Sequence, residues 1–153
     1  MSNVVLWVHV VWGTKNRYPF LKQPYRDQII KHIKSNGWSK SLYLRSVNGY
    51  VDHLHCLAAL GTEMNLSKLV MLIKGESSFW INKEKIFPMK FEWAHEYYAR
   101  SVCESHVGRV DQYIKNQEAH HNKTTWEDEL AEFLKEYDGP SYPSDSESGL
   151  ILT

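Results

Sequence analysis

Cysteine is scarce: Cys56 and Cys103 are the only two in 153 residues. Two thiols cannot build a disulfide framework or a thiolate metal cage, and both sit among apolar neighbours, so buried reduced thiols are expected. Long hydrophobic runs are missing as well. Nothing approaches the roughly 18 apolar residues that a membrane-spanning helix requires, and Met1-Ser2-Asn3-Val4 is not a basic segment leading into an apolar stretch. A cytoplasmic protein without a membrane partner is expected. Internal repeats and low-complexity tracts are absent, which excludes fibrous and collagen-like architectures. The remaining composition, 42% hydrophobic, 13% aromatic and 24% charged, is that of an ordinary globular domain with enough apolar side chains for a core.

Net charge is the other absence, with 18 basic residues against 18 acidic ones. Spread evenly, that balance would argue against a polyanionic partner. It is not even. Residues 1–50 hold Lys15, Arg17, Lys22, Arg26, Lys31, Lys34, Lys40 and Arg45 against Asp27 alone, whereas residues 124–153 hold eight acids against Lys135. The basic half is where nucleic acid would bind, although an unevenly charged solvated surface gives the same count. Residues 1–123 are read as the functional domain and 124–153 as an acidic helix with a flexible tail.

Residues 4–11 are rich in β-branched side chains and lead into the polar loop at 14–19, which predicts a first strand. Tyr25, Ile29, Ile30 and Ile33 recur at helical spacing, with Gly37 as a stop signal. Residues 42–47 alternate as a strand, Asn48-Gly49 supplies a tight hairpin turn, and residues 50–60 return. Asn65 caps a helix running through Leu66, Leu69, Val70, Ile73 and Trp80 toward Ile81, with Gly75 as a weak point in its middle. Residues 91–93 and 97–103 read as short strands, 104–121 as one helix and 126–137 as a second, acidic one ended by Gly139-Pro140. The expected fold is α+β: a ferredoxin-like antiparallel sheet with helices packed on it.

On the return strand, alternation points His53 and His55 to one face and Leu54 into the core. Two imidazoles on one side of a rigid strand suit a divalent cation, though such a pair is equally read as structural. Tyr113 and Gln117 stand four apart on a predicted helix, so a phenol and a carboxamide share a face. Taken singly, Tyr113 is one of nine tyrosines and Gln117 an ordinary helix residue. His120 and His121 follow at the helix end, where the dipole favours imidazole.

Together the constellations resemble the HUH single-strand DNA endonucleases (His, hydrophobe, His), and specifically the single-tyrosine transposases of the IS200 and IS605 type. The resemblance spans about residues 6 to 135. Val8-His9-Val10-Val11-Trp12-Gly13-Thr14-Lys15-Asn16-Arg17 looks like the family's first strand and loop, Asp52-His53-Leu54-His55 like its metal-binding strand, and Leu72-Ile73-Lys74-Gly75 like its middle helix. Ser101-Val102-Cys103-Glu104-Ser105, Val110-Asp111-Gln112-Tyr113-Ile114-Lys115-Asn116-Gln117 and His120-His121 resemble its last strand and nucleophile helix. The chain departs from the pattern at Trp93 to Ala99, where related chains commonly carry glycines around the tyrosine and this one reads Glu96-Tyr97-Tyr98-Ala99.

The resemblance implies Tyr113 as nucleophile and His53, His55 and Gln117 as ligands of Mg²⁺. The imidazoles would also tolerate Mn²⁺, Co²⁺ or Zn²⁺. It implies cleavage and rejoining of single-stranded DNA beside hairpins through a 5′-phosphotyrosine, and a homodimer with active sites shared between subunits, in a bacterial or archaeal cell. Lys15, Arg17 and Arg45 are expected phosphate contacts, with Trp12 and Tyr18 available to stack on unpaired bases, although Trp12 is read in the first place as a core residue. A domesticated relative that processes chromosomal repeat hairpins would carry the same residues. An inactive nucleic-acid binding module would need none of them together.

Overall fold

The strand bearing the histidine pair is apolar on both faces, and such a strand belongs in the middle of a sheet with both sides covered. In the computed structural model of the chain, which describes residues 2–121 and 125–135, β3 (His53–Leu60) is central. It lies between β1 (Leu6–Gly13) and β2 (Tyr43–Gly49), and β4 (Tyr98–Val102) pairs with the far side of β1. All pairings are antiparallel, in the order β2-β3-β1-β4. With α1 (Tyr25–Ser39) after β1 and α2 (Leu66–Lys83) after β3, the chain follows the ferredoxin-like β-α-β-β-α-β path.

Alternation along the strands sorts side chains between two faces. Val10, Trp12, Leu54, Cys56 and Ala58 pack against Ile29 and Ile33 of α1 and Leu69, Val70, Ile73 and Ile81 of α2. The opposite face carries Leu57, covered by Val107 and Ile114 of α3 (Val107–Lys115), with Trp7 and Tyr113 at its margin. Asn65 caps α2 as expected, its side chain accepting from the Lys68 amide at 2.8 Å, and the helix runs unbroken through Gly75.

Several expectations are corrected. The first strand begins and ends two residues later than read, because the alternation extends through Trp12. Asn48-Gly49 is not the hairpin turn: both residues are in β2, Gly49 opposite Leu54, and no described glycine has positive φ. Glycine is required at 49 for space, since a Cβ there would fall on the carbonyl oxygen of His53 and press on Leu54. Residues 91–93 form no strand, only an isolated bridge between Trp93 and Thr14. The atypical segment at 94–96 is held by Lys74, whose ammonium donates to the carbonyls of Ala94, His95 and Glu96 at 2.7, 3.2 and 3.4 Å. The single helix expected over 104–121 is three pieces: a 3₁₀ turn (Glu104–His106), α3, and α4 (Gln117–His121) beyond a break at Asn116.

The two cysteines differ. Cys56 is buried, and burial pushes its thiol up to about 12. Cys103 is exposed, contrary to expectation, because it follows the edge strand β4; its Sγ lies 3.2 Å from His106 Nδ1.

The chain divides into two compact units, Met1–His120 and His121–Thr153. In the second, α5 (Trp126–Lys135) is capped by the Thr125 hydroxyl, which accepts from the Asp128 amide at 3.2 Å. Glu127, Asp128 and Glu129 in its first turn complement the helix dipole, and His121 pairs with Glu129. Residues 136–137 of the expected helix, and the expected tail, lie outside the described residues. Among those described, no helix is long and apolar enough to cross a membrane.

Candidate active site

β3 places His53 opposite Gly13 and His55 opposite Val11, so both imidazoles rise from the α3 face. Both are fully buried, and each has its Nδ1 engaged. Asp52 Oδ1 accepts from His53 Nδ1 at 2.8 Å, and His55 Nδ1 shares a proton with His9 Nε2, also at 2.8 Å. His9 faces the same way from β1, diagonal to His55, with ring centroids 5.1 Å apart. A carboxylate or imidazole on one ring nitrogen fixes the tautomer and leaves the other as a ligand. Asp52 is itself held. The buried Thr14 takes the Asp52 carbonyl through its backbone amide at 2.8 Å, and its hydroxyl donates to the Tyr18 carbonyl at 2.7 Å. These bonds fix a loop in which Asn16 and Arg17 both adopt left-handed backbone, φ 56° and 57°, a conformation costing about 1–2 kcal/mol per residue.

Tyr113 comes to this face on α3, half-buried, its ring edge-on to His55 at 5.6 Å and to His9 at 6.2 Å between centroids. His120 closes on its other side at 5.1 Å. Gln117, first residue of α4, turns its Oε1 to 3.4 Å from His53 Nε2 and its Nε2 to 3.5 Å from the Tyr113 carbonyl. The break at Asn116 therefore does not separate the pair; Gln117 still reaches back one turn.

The helix that carries Tyr113 is fastened to the sheet by two residues of β2. The Ser46 hydroxyl donates to Asp111 in the middle of α3, and Asn48 Nδ2 donates to the carbonyls of Ile114 and Lys115 at 3.0 and 3.1 Å, closing the helix end. Asp111 also takes the Lys115 ammonium at 2.9 Å, with Arg45 at 3.9 Å. The Ser46 hydrogen bond, then these cations, hold its carboxyl below the usual range despite burial.

A divalent cation fits this donor set. Two imidazoles and one amide oxygen are neutral ligands, and 3.4 Å between His53 Nε2 and Gln117 Oε1 is long for a hydrogen bond.

The expected DNA contacts are only partly suited to that role. Trp12 is 1% exposed and packed edge-on against Trp93 at 5.9 Å, so it belongs to the core and cannot stack on bases. Tyr18 is half exposed, its ring 4.6 Å from Phe20. Lys15 pairs with Glu92 at 2.9 Å on the surface, and Arg45 lies over the Trp7 ring at 5.9 Å. The sequence assigned none of His9, Asp52, Ser46 and Asn48 to the site, and Asn48 was expected in a turn. Only His9 and Asp52 left a trace there, as members of the motifs at the first strand and the histidine pair.

Sheet order, paired histidines and a tyrosine helix on the same face define the HUH class. The IS200-like transposase profile matches residues 2–117, and the chain belongs to that family. No curated protein sequence matches it. Among solved structures, a protein of Deinococcus radiodurans R1 assigned provisionally as a transposase is 23% identical, with a TM-score of 0.59 over 76% of this chain and 93% of its own. A REP-associated tyrosine transposase bound to a REP hairpin is 13% identical, with a TM-score of 0.60 over 95% and 94%. At these identities the likeness is one of fold.

Proposed function

We propose that this transposase cleaves and rejoins single-stranded DNA with Tyr113 as nucleophile, at a site completed by His53, His55 and Gln117 of the same chain. The observation that carries the reading is the placement of the Tyr113 ring 5.6 Å from His55, beside a histidine pair whose Nδ1 atoms are both occupied. The substrate class is hairpin-bearing single-stranded DNA, by analogy with the REP-associated relative, whose structure holds a REP hairpin.

His53, His55 and Gln117 would hold Mg²⁺, with Mn²⁺ tolerated by the imidazoles; when bound, the cation offsets charge on the phosphodiester and orients it. A tyrosine phenol, with a reference pKa near 10, is a weak nucleophile at neutral pH. α3 offsets this by holding the ring in place. As the Tyr113 Oη–P bond forms, the P–O3′ bond breaks; the phenol proton leaves and the 3′ oxygen takes one up. The product is a 5′-phosphotyrosine and a free 3′-OH. Attack by another 3′-OH reverses the step and reseals the strand without ATP, because one phosphoester replaces another. A domesticated repeat-processing enzyme would use the same chemistry. A binding module without activity would have no use for a buried His-His-Gln cluster beside a tyrosine.

The test is incubation with hairpin-containing single-stranded DNA and Mg²⁺, followed by a denaturing gel. A covalent protein–DNA adduct is expected, abolished in Tyr113→Phe and suppressed by EDTA. An adduct that survives Tyr113→Phe would remove the nucleophile assignment, and cleavage undiminished in EDTA the metal.

A further inference from the structure

Trp38 is 83% exposed, the most exposed large apolar side chain among the described residues. A tryptophan left in solvent forgoes an apolar burial worth about 2–3 kcal/mol, so packing does not explain it. It stands on the last turn of α1, one turn beyond Lys34 on the same side. Gly37 lets this end of the helix come down on β2, since a Cβ there would meet Leu44 Cδ1 at 2.7 Å, and the Leu42 amide donates to the Gly37 carbonyl at 2.8 Å. The end of α1 with Trp38 is thereby set against edge strand β2, whose Tyr43 turns its ring to the other face, edge-on to Trp7 at 5.8 Å. Between them opens a cleft of about 330 Å³ lined by Lys34, Trp38, Leu42, Tyr43, Leu44 and Arg45.

The cleft presents one exposed indole, Trp38, with the Lys34 ammonium one turn away, while Arg45 lies over Trp7; this lining suits one kind of ligand. Flat π-faces accept any base by stacking, and flanking cations accept the phosphates on either side. The charge is complementary. The sole acid among residues 1–50, Asp27, lies at the other end of α1, whereas Arg45 is engaged by Asp111 at 3.9 Å.

We propose that this cleft is a stacking site for an unpaired base of single-stranded DNA, separate from the cleavage site. The inference rests on the reading of the protein as a single-strand transposase and adds where the strand is held. Along β2, Tyr43 lies five residues from Asn48, which pairs with His55. That is roughly 15 Å along the strand, and because Trp38 stands on the α1 side of the sheet and the histidine pair on the α3 side, DNA held at Trp38 passes round the β2 edge to reach the cleavage site.

Fluorescence anisotropy with a labelled oligothymidylate of about 20 nucleotides and a blunt duplex of equal length tests this. Trp38→Ala should weaken single-strand binding about 10-fold, the worth of one stacked base, with duplex affinity and the salt slope unchanged. Trp38→Phe should stay close to wild type, and Lys34→Gln should lower the salt slope by about 0.7. Equal single-strand affinity of Trp38→Ala and wild type would overturn the stacking site and leave the transposase reading standing; so would equal loss on single strand and duplex. A wild-type protein that binds no single strand would overturn both.

Discussion

His9 shows how a residue without an assigned role can decide whether a site works. Its imidazole occupies His55 Nδ1 at 2.8 Å, as Asp52 occupies Nδ1 of His53, so each histidine proposed to hold the cation is oriented by a different neighbour. Removing such a partner typically costs 10–100-fold in metal affinity. His9→Ala should therefore weaken Mn²⁺ binding by about 10-fold or more, read by electron paramagnetic resonance titration of the DNA-free protein. Asp52→Asn, which keeps an acceptor oxygen, should lose less. Equal Mn²⁺ affinity in His9→Ala and wild type would show that His9 only packs.

At the scale of elements, the relation that matters is between β2 and α3. Ser46 and Asn48 fix the middle and end of the helix that carries Tyr113, so Tyr113 is tied to the sheet that bears His53 and His55 of the same chain. Mixing Tyr113→Phe with a His53→Ala, His55→Ala double variant should then give no covalent adduct; recovery of the adduct would mean that a second subunit lends the tyrosine. The same anchor has a pH signature. The Asp111 carboxyl is held below its ordinary value, first by the Ser46 hydroxyl, so its stabilisation is fully present above the unfolded value of about 4. It is lost as pH falls through the lower folded value. Asp111→Asn should cost about 2 kcal/mol at neutral pH by urea denaturation, and the gap to wild type should narrow at about pH 3. A gap that widens on acidification would contradict the sign.

For the whole molecule, zero net charge conceals a basic first third and an acidic end. Long-range attraction to DNA depends on the sum of charges within reach and is screened over about 10 Å at 0.1 M salt. Removing residues 124–153 deletes eight acids and one lysine. The shortened protein should bind non-specific DNA more tightly at low salt, with the difference fading at high salt. Equal affinity at low salt would mean that the acidic end does not oppose DNA.

The sequence alone determined what depends on local periodicity and residue chemistry. Alternation over residues 53–60 put His53 and His55 on one face, the Asn65 cap started α2, and four-residue spacing joined Tyr113 to Gln117. Ordered motifs along the chain pointed to the transposase family. Local pattern could not distinguish Asn48-Gly49 as a turn from a strand in which glycine is needed for the nearby His53 carbonyl, because that carbonyl arrives only with the return strand. Nor could it tell that Trp12 is buried, Cys103 exposed and Trp38 in solvent, since each depends on what other elements cover. The His9–His55 and Ser46–Asp111 bonds join residues 46 and 65 positions apart. Such partners meet only when the sheet closes and α3 docks on it, so tertiary structure decided how the histidines are oriented and where the tyrosine stands.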